Sequence, residues 1–244
     1  MSARIATGVV VQEAERLVAE VPRWDQAFEV VPGVTTPGAD DPLPLLRRLE
    51  LSPRLDGLRA LAVGCGDGFF AFEMERRGAR VSAAPLGEPT EGFLAAHRLR
   101  RSRVEALPGQ LYELGRHEAG PFDLVLCLGT LDRLRHPLLA LDVIGGMMRP
   151  GGMLLVETRV VGNGPAGPDR PPVMEFRPGT ILGGSWTPTI GCLEQMVASA
   201  RFLVRGAGMW SGDRAIVRAV RMRPPVAAEP VRAGLRLVGA EASG

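Results

Sequence analysis

Three glycines at alternate positions carry the clearest chemical signal in this sequence. Gly64, Gly66 and Gly68 follow an apolar run and precede an apolar segment with helical spacing. Glycines at these places let a strand turn sharply into a helix, which brings bare main chain and a helix N-terminus close to a bound small molecule. The pattern favours a nucleoside cofactor bound at the edge of an α/β sheet, although dinucleotide-binding proteins use similar turns.

Composition excludes several other kinds of chemistry. All 29 basic side chains are arginines, so no lysine is available for Schiff-base or P-loop chemistry, and a net charge of +2 is too small to indicate nucleic acid. The three cysteines, Cys65, Cys127 and Cys192, show no CxxC spacing. That pattern argues against a disulfide framework or a zinc site, and we expect no metal.

Two features of the sequence indicate where in the cell the protein is located. The first helix mixes Glu13, Glu15 and Arg16 into its apolar positions, unlike a signal peptide. Apolar runs of membrane-spanning length are absent from the sequence. We therefore expect a cytoplasmic protein without membrane contact.

Periodicity predicts strands that alternate with helices, and hence a doubly wound α/β fold with a mostly parallel, seven-stranded sheet. The predicted strands cover residues 58–63, 80–84, 103–106, 123–128, 153–160, 202–210 and 214–221. The predicted helices cover residues 10–21, 43–50, 69–77, 93–101, 137–148 and 193–200. Only three residues separate the last two strands, which predicts a hairpin and therefore an antiparallel strand near the C-terminus.

The same survey divides the chain into three parts. Residues 1–50 are expected to form a helical and gate segment, residues 51–221 the α/β domain, and residues 222–244 a flexible tail. A stretch dense in Gly and Pro, residues 162–188, is long enough to suggest a functional lid inside the domain.

Several segments match one known family in order along the chain. They are residues 67–79, 122–141 and 149–158, with Trp24 and residues 36–38 before them and residues 186–196 after them. With these segments the chain resembles the class I S-adenosylmethionine-dependent methyltransferases, which have a Rossmann-like fold. Within them it is most similar to the branch related to the tRNA wobble-uridine carboxymethyltransferases, which also includes many small-molecule methyltransferases.

The resemblance implies positions for cofactor and acceptor. S-adenosylmethionine would lie with its methionine part over the turn and its adenine near the loop after the third strand. The residues so implied in cofactor binding are Gly64, Cys65, Gly66, Asp67, Gly68, Gln110, Leu111, Leu128 and Gly129. A small-molecule acceptor would enter above residues 129–133, with Trp24, Pro37 and Trp186 beside it.

The sequence departs from the family pattern at three places. Ala62 stands where the family usually has an acid two residues before the first glycine, and Pro85 stands where an acid usually holds the ribose. Glu88, three residues later, is an alternative partner for the ribose, or simply a solvated acid. Asp132 and Arg133 replace a Tyr-His pair. As catalytic residues, Asp132 would act as a base or orient a hydroxyl, and Arg133 would hold an anionic group of the substrate or cofactor. The alternative is a surface ion pair at a helix entry.

Three functions remain open at this point. The first is a methyltransferase acting on a small molecule. The second is a partner subunit or binding protein that keeps the fold without the cofactor, as Ala62 and Pro85 suggest. The third is a tRNA-modifying enzyme, which the branch resemblance permits and the near-neutral charge argues against.

Overall fold

The structure is a computed structural model, and it describes residues 2–116, 120–161, 171–178 and 185–223. Its centre is a seven-stranded sheet in the order β10-β11-β7-β6-β3-β4-β5. The strands are β3 (Arg59–Val63), β4 (Arg80–Ala84), β5 (Glu105–Ala106), β6 (Phe122–Leu128), β7 (Met148–Arg159), β10 (Phe202–Ser211) and β11 (Arg214–Arg221). Pairing is parallel from β7 through β5, while β11 runs antiparallel to both β7 and β10. The predicted fold class is confirmed, including the terminal hairpin.

Helices and short ribbons surround this sheet. The helices are α1 (Ser2–Glu20), α2 (Leu43–Leu49), α3 (Phe69–Arg76), α4 (Glu91–Arg100), α5 (Pro137–Gly146) and α6 (Ile190–Ser199). Two 3₁₀ turns occupy Leu111–Arg116 and Leu131–Arg133. Two small hairpins lie outside the sheet: β1 (Glu29–Val31) with β2 (Val34–Thr35), and β8 (Met174–Arg177) with β9 (Ser185–Pro188).

Two apolar layers cover the two faces of the sheet. Along β3, Leu61 and Val63 face one layer while Ala60 and Ala62 face the other, as the two-residue period of a strand requires. The layer that holds Leu61 includes α5 and α6, and the layer that holds Ala62 includes α3, α4 and residues 14–49. The N-terminal segment therefore shares a core with the domain, and the boundary at residue 50 stays a prediction.

The structure describes residues 171–178 and 185–188 of the proposed lid. Strands β8 and β9 form a hairpin within residues 162–188, with the rings of Phe176 and Trp186 4.6 Å apart. Residues 162–170 and 179–184, and the tail from residue 224 onward, lie outside the described residues, so these parts of the lid and tail predictions stay predictions.

Candidate functional site

The turn between β3 and α3 has the geometry that its glycines predict. Gly64, Gly66 and Gly68 have φ values of 67°, 53° and 96°. A Cβ atom on Gly64 would lie 2.0 Å from the Thr130 hydroxyl, and one on Gly68 would collide with the aromatic side chains of α3 and α4. A Cβ on Gly66 would meet nothing closer than the Gln26 amide oxygen at 3.9 Å. Packing therefore requires Gly64 and Gly68, whereas Gly66 leaves open space beside the main chain. We call this open space at Gly66 the cradle.

This cradle opens into a cavity of about 400 Å³. It lies at the carboxyl ends of β3 and β6, between the N-terminal segment and the β10–β11 hairpin. Its lining consists of Asp25, Gln26, Asp40, Asp41, Pro42, Leu45, Ala62, Val63, Gly64, Cys65, Gly66, Phe70, Leu126, Leu128, Gly129, Arg133, Glu157, Trp210, Ser211 and Arg214. The structure therefore brings together six residues predicted from the sequence: Gly64, Cys65, Gly66, Leu128, Gly129 and Arg133.

Acidic side chains dominate the charge of this cavity. Four carboxylates line it, from Asp25, Asp40, Asp41 and Glu157, against the guanidinium groups of two arginines, Arg133 and Arg214. Such a lining favours a ligand with positive charge.

Glu157 joins the cavity floor to the C-terminal hairpin. Its carboxylate is buried and accepts hydrogen bonds from the main-chain N–H of Gly129 at 2.9 Å, the Trp210 indole at 2.9 Å, and the Arg214 guanidinium through Nη2 at 2.7 Å and through Nε. The hydrogen bonds that Arg214 donates to Glu157 raise the pKa of Arg214, so its guanidinium stays charged. Sequence reasoning missed this pair because 57 residues separate its members.

Asp67 holds the turn to the N-terminal segment. Its buried carboxylate accepts hydrogen bonds from the main-chain N–H groups of Asp25 at 2.7 Å and Gln26 at 2.9 Å, and from the Thr90 hydroxyl at 3.2 Å. Thr90 in turn caps α4 by accepting from the N–H of Phe93. Asp67 does not line the cavity, so its carboxylate organises the site rather than facing a ligand.

Asp132 does not occupy the position that the sequence suggested. It is buried and absent from the cavity lining, and its Oδ1 accepts a hydrogen bond from the Thr158 hydroxyl at 3.1 Å. Its own N–H donates to the same hydroxyl oxygen. The alternative of a surface ion pair is wrong because burial beside β7 gives this carboxylate a hydroxyl partner instead. These hydrogen bonds hold the turn at Leu131–Arg133 to β7, and the catalytic role of Asp132 stays a prediction.

Arg133, by contrast, reaches the cavity. It is exposed, and it makes no ion pair within the ranges that the structure describes. Its guanidinium is available to an anionic group of a ligand.

The residues proposed to flank the acceptor lie elsewhere. Trp24 is buried in the core, where its indole N–H donates to the carbonyl of Val18 at 3.0 Å. Trp186 donates to the carbonyl of Arg135 at 3.0 Å. Pro37 is exposed. None of Trp24, Pro37 and Trp186 lines the cavity, because packing and main-chain hydrogen bonds hold both indoles.

The adenosine half of the expected site is poorer in polar groups. The N–H of Gly64 donates to the carbonyl of Ala84, so Pro85, which is buried, does follow β4 beside the turn, as the spacing predicts. Glu88 and Gln110 are exposed, and Leu111 is buried in the core. The cavity lining includes Ala62 but none of Gly68, Pro85, Glu88, Gln110 and Leu111.

Two negative results apply to the described part of the chain. It contains no group of three or more His, Cys, Asp or Glu side chains that could hold a metal ion. Among its helices, none is both long and apolar enough to cross a membrane.

Comparison with known proteins agrees with this architecture. Residues 61–154 match the family of methyltransferase domains. A ubiquinone biosynthesis O-methyltransferase of Marinobacter nauticus is 32% identical over 139 residues, which cover 55% of this chain and 56% of that protein. The chain spans about half the length of the curated relatives it matches.

Two solved structures show the same fold. The 1,6-didemethyltoxoflavin N1-methyltransferase of Burkholderia thailandensis, solved with its ligand and S-adenosylhomocysteine, has a TM-score of 0.57 at 18% identity, covering 69% of this chain and 72% of its own. The N-terminal domain of EvdMO1, solved in the presence of S-adenosylhomocysteine and D-fucose, has a TM-score of 0.63 at 19% identity, covering 87% of this chain and 97% of its own.

The sheet order, the antiparallel hairpin and the glycine turn define a Rossmann-like methyltransferase fold. The match over residues 61–154 is to the methyltransferase domain family. The narrower resemblance to the wobble-uridine carboxymethyltransferase branch stays a prediction.

Proposed function

We propose that this protein is an S-adenosylmethionine-dependent methyltransferase that acts on a small molecule. The observation that carries the proposal is the cavity in which the open cradle at Gly66 meets an excess of carboxylates. The names of the curated relatives and of the solved structures support the same reaction class.

The residues present fit the methyl-bearing end of the cofactor. Gly66 and Gly129 both have positive φ, and no side chain of their own separates their main chain from the cavity that they line. The four lining carboxylates suit a sulfonium and an ammonium group. When bound, S-adenosylmethionine supplies a methyl group that a nucleophile can displace from positively charged sulfur.

The chain's own residues supply positioning. The main chain of residues 64–66 and 128–129 would hold the methionine part, and Glu157 fixes Gly129 through its N–H. Arg133 would hold an anionic group of the acceptor. Fixing both reactants in one orientation is the main contribution to direct displacement, since the reaction then becomes effectively unimolecular.

The missing acids predict weak cofactor binding. A hydrogen bond to a charged group contributes about 1.5–3 kcal/mol. The loss of one such bond at Pro85 therefore weakens binding by roughly 10- to 100-fold. Ala62 adds to this loss, although the neighbouring carboxylate of Asp25 shares the same cavity and offsets part of it.

The direct test is calorimetric titration of S-adenosylhomocysteine into the native protein and two glycine variants. Gly66→Ala places a methyl group in the cradle, and we expect it to weaken binding at least about tenfold, or about 1.4 kcal/mol. Gly57→Ala is the matched control, because Gly57 also has positive φ with open space around it and lies outside the cavity. Equal affinities for the two variants would contradict the proposed cofactor position.

The finer features of location and partners belong to the same proposal. A cytoplasmic location is supported by Glu13, Glu15 and Arg16 in the first helix. A small-molecule acceptor is supported by the cavity volume of about 400 Å³ and by the low net charge of +2, which argues against nucleic acid. Co-purification of RNA would contradict that choice.

A further inference from the structure

The four carboxylates of the cavity differ in what already binds them. Glu157 is occupied by Arg214, Trp210 and Gly129. Asp25 accepts from the Arg23 guanidinium at 2.9 Å, and Asp41 accepts from the N–H of Leu43, at the start of α2, at 2.9 Å.

Asp40 is the exception. Its carboxylate accepts no hydrogen bond and makes no ion pair with the residues that the structure describes, and it is not buried. Among the lining acids in the described ranges, Asp40 is thus the carboxylate left open to a ligand.

The main chain holds Asp40 at the rim of the cavity. Its N–H donates to the carbonyl of Asp25 at 3.0 Å, and its carbonyl accepts from the N–H of Ala27 at 2.8 Å. The Asp67 carboxylate fixes the same segment by accepting a hydrogen bond from the N–H of Asp25. The Asp40 side chain therefore starts from an anchored position and lines the same cavity as Gly66.

The surroundings favour proton uptake by this carboxylate. Partial loss of water around the carboxylate raises the pKa of Asp40, Arg214 lowers it, and the carboxylates of Glu157, Asp41 and Asp25 raise it further, with a net increase above the usual 3.8. Arg133 is the other cation that lines the cavity. A carboxylate with a raised pKa is a stronger base.

We propose that Asp40 is the general base of the methyl transfer and that the acceptor atom is the oxygen of a neutral hydroxyl. This inference rests on the proposed methyltransferase function. In the step, the acceptor oxygen forms a bond to the methyl carbon as the carbon–sulfur bond breaks with its electron pair left on sulfur. Asp40 takes the hydroxyl proton and releases it to solvent at the exposed rim.

The first part of the test measures methyl transfer. Native protein, Asp40→Asn and the control Asp142→Asn, an exposed acid on α5 away from the cavity, are given S-adenosylmethionine labelled in the methyl group. Catechol and D-fucose serve as an aromatic and a sugar hydroxyl probe, from pH 6 to pH 9. We expect label in at least one probe, a rate about 100-fold lower in Asp40→Asn at pH 7, and a native rate in Asp142→Asn. With catechol, whose hydroxyl begins to ionise towards pH 9, the deficit of Asp40→Asn should shrink as pH rises.

The second part measures binding and titration without turnover. S-adenosylhomocysteine should bind native protein and Asp40→Asn within about twofold, because an amide keeps the size of the side chain while the base acts on the acceptor. In carbon-13 spectra of side-chain carboxyl groups, the signal missing from Asp40→Asn should titrate above pH 3.8 in the native protein.

Each outcome has one meaning. If native protein does not bind S-adenosylhomocysteine, the proposed function itself fails. If it binds and labels neither hydroxyl probe, or if Asp40→Asn transfers methyl groups at the native rate and with the native pH profile, the role of Asp40 is overturned while the proposed function stands.

Discussion

Glu157 and Arg214 form a two-point ion pair that ties the C-terminal hairpin to the cavity floor. Nη2 of Arg214 donates to Oε2 of Glu157 at 2.7 Å, and Nε donates to Oε1. Oε2 also accepts the main-chain N–H of Gly129, so one buried carboxylate fixes both the hairpin and the loop after β6. The shape of the cavity therefore depends on a contact between two residues that are 57 positions apart in the sequence.

Breaking this pair should destabilise the protein. Glu157→Gln keeps the size of the side chain but leaves the Arg214 guanidinium without its counter-charge. We expect a loss of about 3 kcal/mol, at the low end for a buried pair, because the Arg214 side chain is 27% exposed. Urea unfolding followed by circular dichroism measures it.

The matched control is a more exposed ion pair whose arginine lies, like Arg214, on β11. Arg218 and Glu50 lie 3.1 Å apart with side chains 32% and 68% exposed. Glu50→Gln should cost less than about 1 kcal/mol. If the two variants lose equal stability, Glu157 does not have the anchoring role assigned to it.

Asp67 should govern the order of the N-terminal segment. Asp67→Ala removes the acceptor for the N–H groups of Asp25 and Gln26 and for the Thr90 hydroxyl. We expect a loss of about 2–3 kcal/mol and faster hydrogen exchange at these two amides, with slow exchange retained in β6. Unchanged protection at residues 25 and 26 would show that the segment is held by other contacts.

Cys65 should be a poor nucleophile despite its place in the cavity. Burial raises the pKa of its thiol to about 12, and burial does the same for Cys127. Because the thiolate is the reactive form, roughly one molecule in ten thousand carries it at pH 8. Alkylation by iodoacetamide at pH 8, followed by mass spectrometry, should proceed far more slowly at Cys65 than in the urea-unfolded chain. Equally rapid labelling in both states would refute the stated burial.

Glu73 should contribute to stability against acid. Burial alone would raise the pKa of Glu73, but hydrogen bonds from Arg76 and Arg77 lower it below the usual 4.5. A carboxyl whose pKa is lower in the folded state stabilises the protein above pH 4.5, and this stabilisation is lost as pH falls through the folded-state pKa.

Urea unfolding at pH 6 and at pH 3.5 tests the role of Glu73. The native protein should lose more stability between the two values than Glu73→Gln loses, since the variant has no proton to take up. If the two proteins show the same pH dependence, the lowered pKa is wrong.

The strands and helices were the predictable part of this fold. Alternating apolar residues in β3 and helical spacing in α3 report which face each residue buries, and burial is what sets these elements. Several boundaries differ from the prediction, and for β7 the physical reason is clear: it begins at Met148, because residues 148–152 continue the strand through an irregular pairing with Phe122. The sequence had predicted a helix through residue 148 and a strand from residue 153.

Much of the site was beyond sequence reasoning. The role of the glycine turn is local, so its shape could be predicted, whereas Asp67 and Asp132 each take partners from distant segments and turn inward. The positions of Trp24 and Trp186 could not be predicted for the same reason. The indole N–H of each donates to a main-chain carbonyl, and this hydrogen bond holds the ring away from the cavity. Asp40 could not be predicted as a site residue, because nothing in the sequence around it indicates that the N-terminal segment lines the cavity.

The most direct test of the account is a titration of S-adenosylmethionine and S-adenosylhomocysteine into the native protein, beside the Ala62→Asp/Pro85→Asp double variant. We predict that the native protein binds both with a dissociation constant below about 1 mM, or about −4 kcal/mol, and that the double variant binds them more tightly. Binding by the double variant alone would contradict the account, since the chain would then have the methyltransferase fold without the use of its cofactor.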